Sequence, residues 1–118
     1  MPMFSRPLPL LAAAGAVALL AACAGGEPVK QEPADPAMLA RLDKLANHGC
    51  NDKLAGILQA RGVQPDQVQQ VGYVSDFRAG NSARLIGYYT YITIAGQPGK
   101  TVVQFTPYCL PQQVFVQS

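Results

Sequence analysis

The chain has 118 residues, of which 49% are hydrophobic, with nine Lys and Arg against seven Asp and Glu. The net charge of +2 is spread along the chain, and the lack of a basic stripe argues against a nucleic-acid partner. A chain of this length holds one domain with a modest core rather than two domains.

The first 22 residues have the pattern of a cleaved export signal. Arg6 gives a positive start, residues 7–20 form an apolar run, and small residues follow. This order is typical of a secretory signal, and the run is shorter than the roughly 20 apolar residues of a spanning helix. The sequence therefore predicts a signal peptide over residues 1–22 and a mature part of 96 residues.

The tetrapeptide Leu20-Ala21-Ala22-Cys23 resembles the lipobox of bacterial lipoproteins. The resemblance implies cleavage before Cys23 and acyl chains on its thiol, which make the lipid bilayer a partner; two such chains give stable anchoring. In Gram-negative lipoproteins an Asp after the cysteine commonly causes retention at the inner membrane. Ala24 at this position implies the periplasmic side of the outer membrane, with the inner membrane as the alternative. An ordinary secretory signal and an uncleaved anchor are the other interpretations.

Cys50 and Cys109 are the two remaining cysteines. In an exported domain an even pair favours a disulfide, and closing a loop of about 60 residues stabilises a fold by roughly 4 kcal/mol. Free structural thiols, or a metal or catalytic pair with His48, are the alternatives. Because zinc needs four ligands, or three and a water, and His48 is the only histidine, the sequence predicts no metal, no cofactor and no catalytic residues.

Residues 23–35 are rich in Gly, Pro and Glu, which indicates a flexible tether and leaves residues 36–118 as the domain. Asp35 and Pro36 are suited to begin a helix, and a second helix begins with Asn51 as its cap and ends near Gly62. The apolar residues at helical spacing in these two helices are Met38, Leu42, Leu45, Leu54, Ile57 and Leu58.

Beyond residue 67 the hydrophobic period changes to two, which is typical of strands. Strands are predicted over residues 68–77, 84–95, 100–108 and, as a short last one, 113–117. The second is the richest in β-branched and aromatic residues, and Pro107 is expected to end the third. The side chains of the second strand expected to face the helices are Ile86, Tyr88, Ile92 and Ile94.

Two helices followed by a three- or four-stranded antiparallel meander predict a two-layer α+β domain. This order of elements on a lipid tether is similar to that of the small assembly-factor lipoproteins of the outer-membrane β-barrel insertion machine. The resemblance covers the order of elements only and transfers no residue.

Tyr89 and Tyr91 share the other face of the second strand with Leu85. An aromatic face without a covering layer favours binding; cover by another strand or by the tether is the alternative. The sequence thus predicts a membrane-tethered, non-catalytic binding or scaffold module with an envelope protein as its partner. Two alternatives are an inhibitor of a periplasmic or host hydrolase, acting through the loop at residues 78–83, and an enzyme that uses Cys50 and His48.

Overall fold

The computed structural model describes residues 28–78 and 84–118. Helix α1 spans Pro36–Leu45 and helix α2 spans Asn51–Ala60, and a 3-10 turn over Pro65–Gln67 then leads into a sheet. The strands are β1 (Val68–Arg78), β2 (Arg84–Ile94), β3 (Lys100–Phe105) and β4 (Pro111–Gln117).

The four strands form one antiparallel sheet in the order β1-β2-β3-β4. Strands that follow each other in the chain also pair in space, as short connections favour. The structure confirms the predicted α+β fold, with two helices before an antiparallel meander, and residues 28–78 and 84–118 contain four strands. Strand β3 ends at Phe105, before Pro107, which lacks an N–H donor for the ladder.

The core lies between the helices and one face of the sheet. The helices contribute all six of the side chains predicted for it, five of them fully buried and Leu45 partly buried. Alternate residues of a strand point to the same face, and the sheet contributes such a set. Its buried members in the core are Val68, Ile92, Ile94, Val103 and Phe105.

Residues 28–35, which the sequence assigns to a flexible tether, lie along α2. The Glu32 N–H donates a hydrogen bond to the Gly56 carbonyl at 3.0 Å, and the Gln59 side chain binds two more backbone groups of the segment. Two of its apolar side chains, Val29 and Ala34, pack against the core. The composition of the segment, rich in proline and charged residues, does not reveal this contact, because the segment forms its hydrogen bonds through backbone groups.

Gly56 is the point of closest approach between this segment and α2. A Cβ at Gly56 would collide with the carbonyl oxygen of Glu32, so the segment can reach the helix only at a glycine. The segment also explains why α2 buries Gly56 in addition to its predicted apolar face, whereas Ala55 belongs to the hydrophobic core itself.

Neither predicted helix cap acts through its side chain. Asp35 occupies the N-cap position of α1 and Pro36 follows it, but the Asp35 carboxylate makes no capping hydrogen bond. The N-cap residue of α2 is Cys50, so Asn51 is the first residue inside the helix, where it is buried. A side chain buried at this position forms hydrogen bonds inside the protein instead of capping the helix.

A register shift interrupts the pairing of β1 with β2 near the connection between them. Asp76 pairs with Gly87 and Phe77 with Leu85, which leaves Ile86 as an extra residue. Such a bulge breaks the simple alternation of faces. Ile86, expected against the helices, is therefore exposed to solvent.

Candidate partner-binding surface

The sheet face that points away from the helices carries two rows of residues across all four strands. These residues alternate with those of the core and therefore point the other way. We call this surface the outer face. The first row is Val74, Tyr89, Gln104 and Gln113, and the second is Gly72, Tyr91, Val102 and Phe115.

The outer face is aromatic and uncharged. Tyr89 and Tyr91 are half-buried, while Val74 and Phe115 are exposed. Val102 is fully buried although it points away from the helices, with Tyr91 and Phe115 as its cross-strand neighbours. No residue in the two rows carries a charge. Few charges together with many aromatic side chains are the composition of a protein–protein interface core.

A shallow groove of about 560 Å³ runs along the margin of the outer face. It is lined by Val74, Tyr91, Gly99, Lys100, Gln117 and Ser118. Lys100 contributes the one charged side chain of this lining, so a charged group borders the uncharged rows rather than interrupting them. The arrangement of an apolar centre with a polar margin is that of a binding surface for another protein.

Of the three predicted partner-binding residues, the structure places two together. Tyr89 and Tyr91 lie in adjacent rows of the outer face, each between partners on β1 and β3. Leu85 lies beyond the register shift and pairs with Phe77, so it belongs to the end of the sheet and not to the two rows.

His48 lies in an aromatic cluster on the helix side of the sheet. Its ring stacks on Tyr73 with centroids 3.8 Å apart and meets the edge of Tyr88 at 4.6 Å. Its Nδ1 accepts a hydrogen bond from the Cys50 N–H at 3.0 Å. Burial lowers the pKa of His48 below its ordinary 6.5, and a proton on Nδ1 would break that bond. The neutral imidazole thus joins the start of α2 to the sheet.

A buried network around Asn51 joins both helices to β1. Its Nδ2 donates to Asp43 Oδ1 at 2.8 Å and to the Ala46 carbonyl at 2.6 Å, and its Oδ1 accepts from the Tyr73 hydroxyl at 2.7 Å. Burial, aided by the charge of Asp43, raises the pKa of Tyr73 far above its ordinary value. The phenol therefore stays protonated and remains a donor to Asn51.

Thr90 lies beside this network with a buried hydroxyl. The hydroxyl is close enough to the Tyr73 phenol to oppose slightly the rise of its pKa. Among the described residues, however, it has no hydrogen-bond partner of good geometry. A hydrogen bond depends on alignment as well as on distance, so the nearness of Thr90 to the Tyr73 phenol does not by itself make one.

Cys50 and Cys109 form a disulfide with their Cα atoms 5.0 Å apart, which confirms the predicted bond. It ties the start of α2 to the loop between β3 and β4. While the bond is intact, neither sulfur is the thiolate that a nucleophile or a metal ligand requires.

Four predicted features lie wholly or partly outside the described residues. They are the signal peptide over residues 1–22, the lipobox with Cys23, residues 23–27 of the tether, and residues 79–83 of the loop expected to act in an inhibitor. Within residues 28–78 and 84–118, no group of three or more His, Cys, Asp or Glu side chains is arranged to hold a metal ion. The described helices include none with the length and hydropathy needed to cross a bilayer.

The sequence alone missed Val74, Val102 and Phe115 as members of the outer face. The two-residue period of each strand is visible in the sequence, but the register between strands decides which residues share a row. Asn51 was missed for another reason, since its place at a helix start favoured a capping role. The sequence did contain one sign of its burial: Asn51 lies three residues before Leu54, the first residue of the apolar face of α2.

Comparison with models of protein families, with curated proteins and with solved structures found no match to the chain.

Proposed function

We propose that the chain is a lipid-anchored protein of the bacterial envelope and that its domain is a non-catalytic binding module. The anchor is inferred from the lipobox at Leu20-Ala21-Ala22-Cys23, and the proposed location is the periplasmic side of the outer membrane. The partner is an envelope protein that binds the outer face. The observation that carries this proposal is a pair of adjoining rows of uncharged residues, mainly aromatic and apolar, on a sheet face that neither helix covers.

The chemistry of the outer face favours a protein over other ligands. Tyr89 and Tyr91 each offer a flat ring with a hydroxyl at its end, which gives large contact area at low conformational cost. Amides from Gln104 and Gln113, already joined to each other at 2.6 Å, supply neutral hydrogen-bonding groups. A partner with a flat, apolar and weakly charged surface satisfies both sets, because a charged partner would lose solvation without gaining an opposite charge.

Neighbouring residues of β4 provide a matched pair for testing the surface. Phe115 belongs to the outer face and is 39% exposed, whereas Val116 is 55% exposed and points to the other side of the strand. A photo-crosslinking residue at each position in turn, in the native bacterium, is expected to capture one envelope protein from position 115 and not from 116. Mass spectrometry identifies the captured protein, and its affinity is then measured with both purified proteins.

Aromatic side chains at the centre of an interface commonly contribute 2 kcal/mol or more, or about 30-fold in affinity. Replacing Tyr89 and Tyr91 together by Ala is therefore expected to weaken partner binding by at least about this factor, while Val116→Ala leaves it unchanged. Equal capture from both positions, or an unchanged affinity of the double variant that still folds, contradicts the assignment of the outer face. The anchor is tested separately by the mass of the N-terminus, which should be an acylated Cys23.

A further inference from the structure

A second exposed apolar surface lies at one end of the sheet, where β1 leads into β2 and β3 into β4. Tyr108 is 85% exposed, Leu110 57% and Phe77 56%. Ile86, exposed at the bulge, lines one groove with Tyr108, and the strand order places Phe77 and Leu110 at the same end. Soluble proteins rarely leave large apolar side chains grouped in this way unless the group binds something. We call these four residues, together with Arg78 and Arg84, the tip cluster.

The two arginines of the tip cluster lie opposite each other in the register of β1 and β2. Like charges at directly opposite positions destabilise a sheet, so this pair costs stability that a bound anion would restore. Both arginines, with Leu85, Ile86, Pro107 and Tyr108, line a groove of about 370 Å³. The guanidinium group presents a planar set of donors that suits a phosphate.

The N-terminal segment leads toward the same end of the domain. Gln59 binds the Pro33 carbonyl and the Asp35 N–H, while Glu32 binds Gly56, so the segment runs parallel to α2. Its earlier residues therefore point toward the start of α2. There Cys50 is bonded to Cys109, which lies between Tyr108 and Leu110.

We propose that the tip cluster is a second membrane contact, which binds the headgroup layer of an anionic bilayer. Its apolar side chains enter the boundary between headgroups and acyl chains, and Arg78 and Arg84 bind lipid phosphates. Tyrosine and arginine suit this boundary because each has an apolar body and a polar end. The role of the anchor in this arrangement rests on the proposed function, whereas the exposed side chains and the arginine pair do not.

The distance from the anchor makes the bilayer the fitting occupant. Five peptide steps separate Cys23 from Pro28, which span at most about 18 Å. A domain held this closely, with its exposed apolar end on the side from which the chain leaves, cannot keep that end far from the lipid. Because the acylated Cys23 already holds the domain at the bilayer, even a weak contact of the tip cluster adds to the membrane affinity, as a second membrane signal does.

The absence of tryptophan allows a site-specific fluorescence test. Full-length protein purified from bacterial membranes, carrying Tyr108→Trp, is reconstituted into phosphatidylcholine vesicles with phosphatidylserine and brominated acyl chains. Its emission is expected to shift to the blue and to be quenched at least about twofold more than that of a Tyr89→Trp control on the outer face, since interfacial side chains reach about 5–10 Å into the boundary. Equal quenching of the two tryptophans overturns the proposal.

Further arms separate the parts of the proposal. Arg78→Gln with Arg84→Gln is expected to remove the difference between vesicles with and without phosphatidylserine; an unchanged difference overturns the phosphate contact. Shielding of the tryptophan of the Tyr108→Trp variant only after an envelope protein is added identifies a protein occupant and overturns the membrane contact. The N-terminal mass of the same preparation reports on the anchor, so an unacylated Cys23 with strong quenching of that tryptophan contradicts the proposed function and not this inference.

Discussion

Replacing Gly56 by Ala distinguishes a docked N-terminal segment from a free one by the sign of the effect on stability. In an unobstructed helix interior, Gly to Ala stabilises by about 1 kcal/mol. Here the new Cβ would collide with the Glu32 carbonyl oxygen and lie 3.1 Å and 3.2 Å from the Glu32 carbonyl carbon and nitrogen. The backbone of the segment would have to move, because no flexible side chain is available to yield.

The size of the loss follows from the contacts that the movement breaks. If the segment stays docked, overpacking of this kind costs about 1–3 kcal/mol. If it moves away, it loses the hydrogen bond from Glu32 to Gly56 and the two with Gln59, at about 1 kcal/mol each. Against the gain in helix propensity of about 1 kcal/mol, either route gives a net loss of up to about 2 kcal/mol. For a domain of this size, each kcal/mol lowers the melting temperature by roughly 4–8 °C.

The assay combines urea unfolding with limited tryptic digestion. Lys30 lies in the docked segment and is exposed, so cleavage after it is expected to accelerate in Gly56→Ala because its backbone is freed from α2. Gly49→Ala is the control, since nothing lies within 4 Å of its Cβ position, and it should change stability by less than about 0.5 kcal/mol. A more stable Gly56→Ala protein with unchanged cleavage would falsify the docking of the segment on α2.

Three further variants test the interior. His48 has a lowered pKa, so its stabilising contribution is present above pH 6.5 and is lost as the pH falls through the lowered value. The melting temperature should therefore fall more between about pH 7.5 and pH 5 in the native chain than in His48→Phe. Parallel melting profiles of the two proteins would contradict this. Replacing Cys50 and Cys109 by Ser should lower the free energy of unfolding in urea by roughly 4 kcal/mol, and a loss below about 1 kcal/mol would mean that the disulfide carries little of the stability. Thr90→Val removes a buried hydroxyl without a partner among the described residues and should stabilise the domain by about 1 kcal/mol, whereas a loss would reveal a hydrogen bond from Thr90 to Tyr73.

The order of elements and most of the core were predictable because they depend on local patterns. The helical spacing of Met38 and Leu42 and the alternation from Tyr88 to Ile94 each report the buried side of one element, and the structure buries them accordingly. Ile86 shows where this reasoning ends. A single extra residue in a strand reverses the faces beyond it. The one local sign of this bulge was Gly87, which adjoins Ile86 and lies too close to the Phe105 carbonyl oxygen to carry a Cβ, since a glycine inside a strand often marks a bulge.

The candidate surfaces depend on relations between segments that are distant in the sequence. Tyr89 and Tyr91 could be assigned to one face, but their partners Val74 and Phe115 follow only from the register of three strand pairs. The docking of residues 28–35 rests on hydrogen bonds from the backbone of the segment to the Gly56 carbonyl and the Gln59 side chain, and composition carries no signal for such bonds. Gly56 was the one local clue, since a glycine inside a helix costs stability and often marks a close approach.

The two proposed contacts together fix the orientation of the domain in the envelope. The tip cluster lies at one end of the strands, so the proposed contact with the bilayer would orient the strands roughly perpendicular to the membrane surface, with the outer face at the side of the domain. A strand of 11 residues such as β2 then extends about 36 Å from the headgroups, and Tyr89 and Tyr91 lie in the middle of it. The partner must therefore present its apolar surface within this distance of the membrane, as the membrane-proximal part of another envelope protein does. A captured protein whose cross-linked residues all lie farther from the bilayer than this would contradict the orientation, even if its binding to the outer face were confirmed.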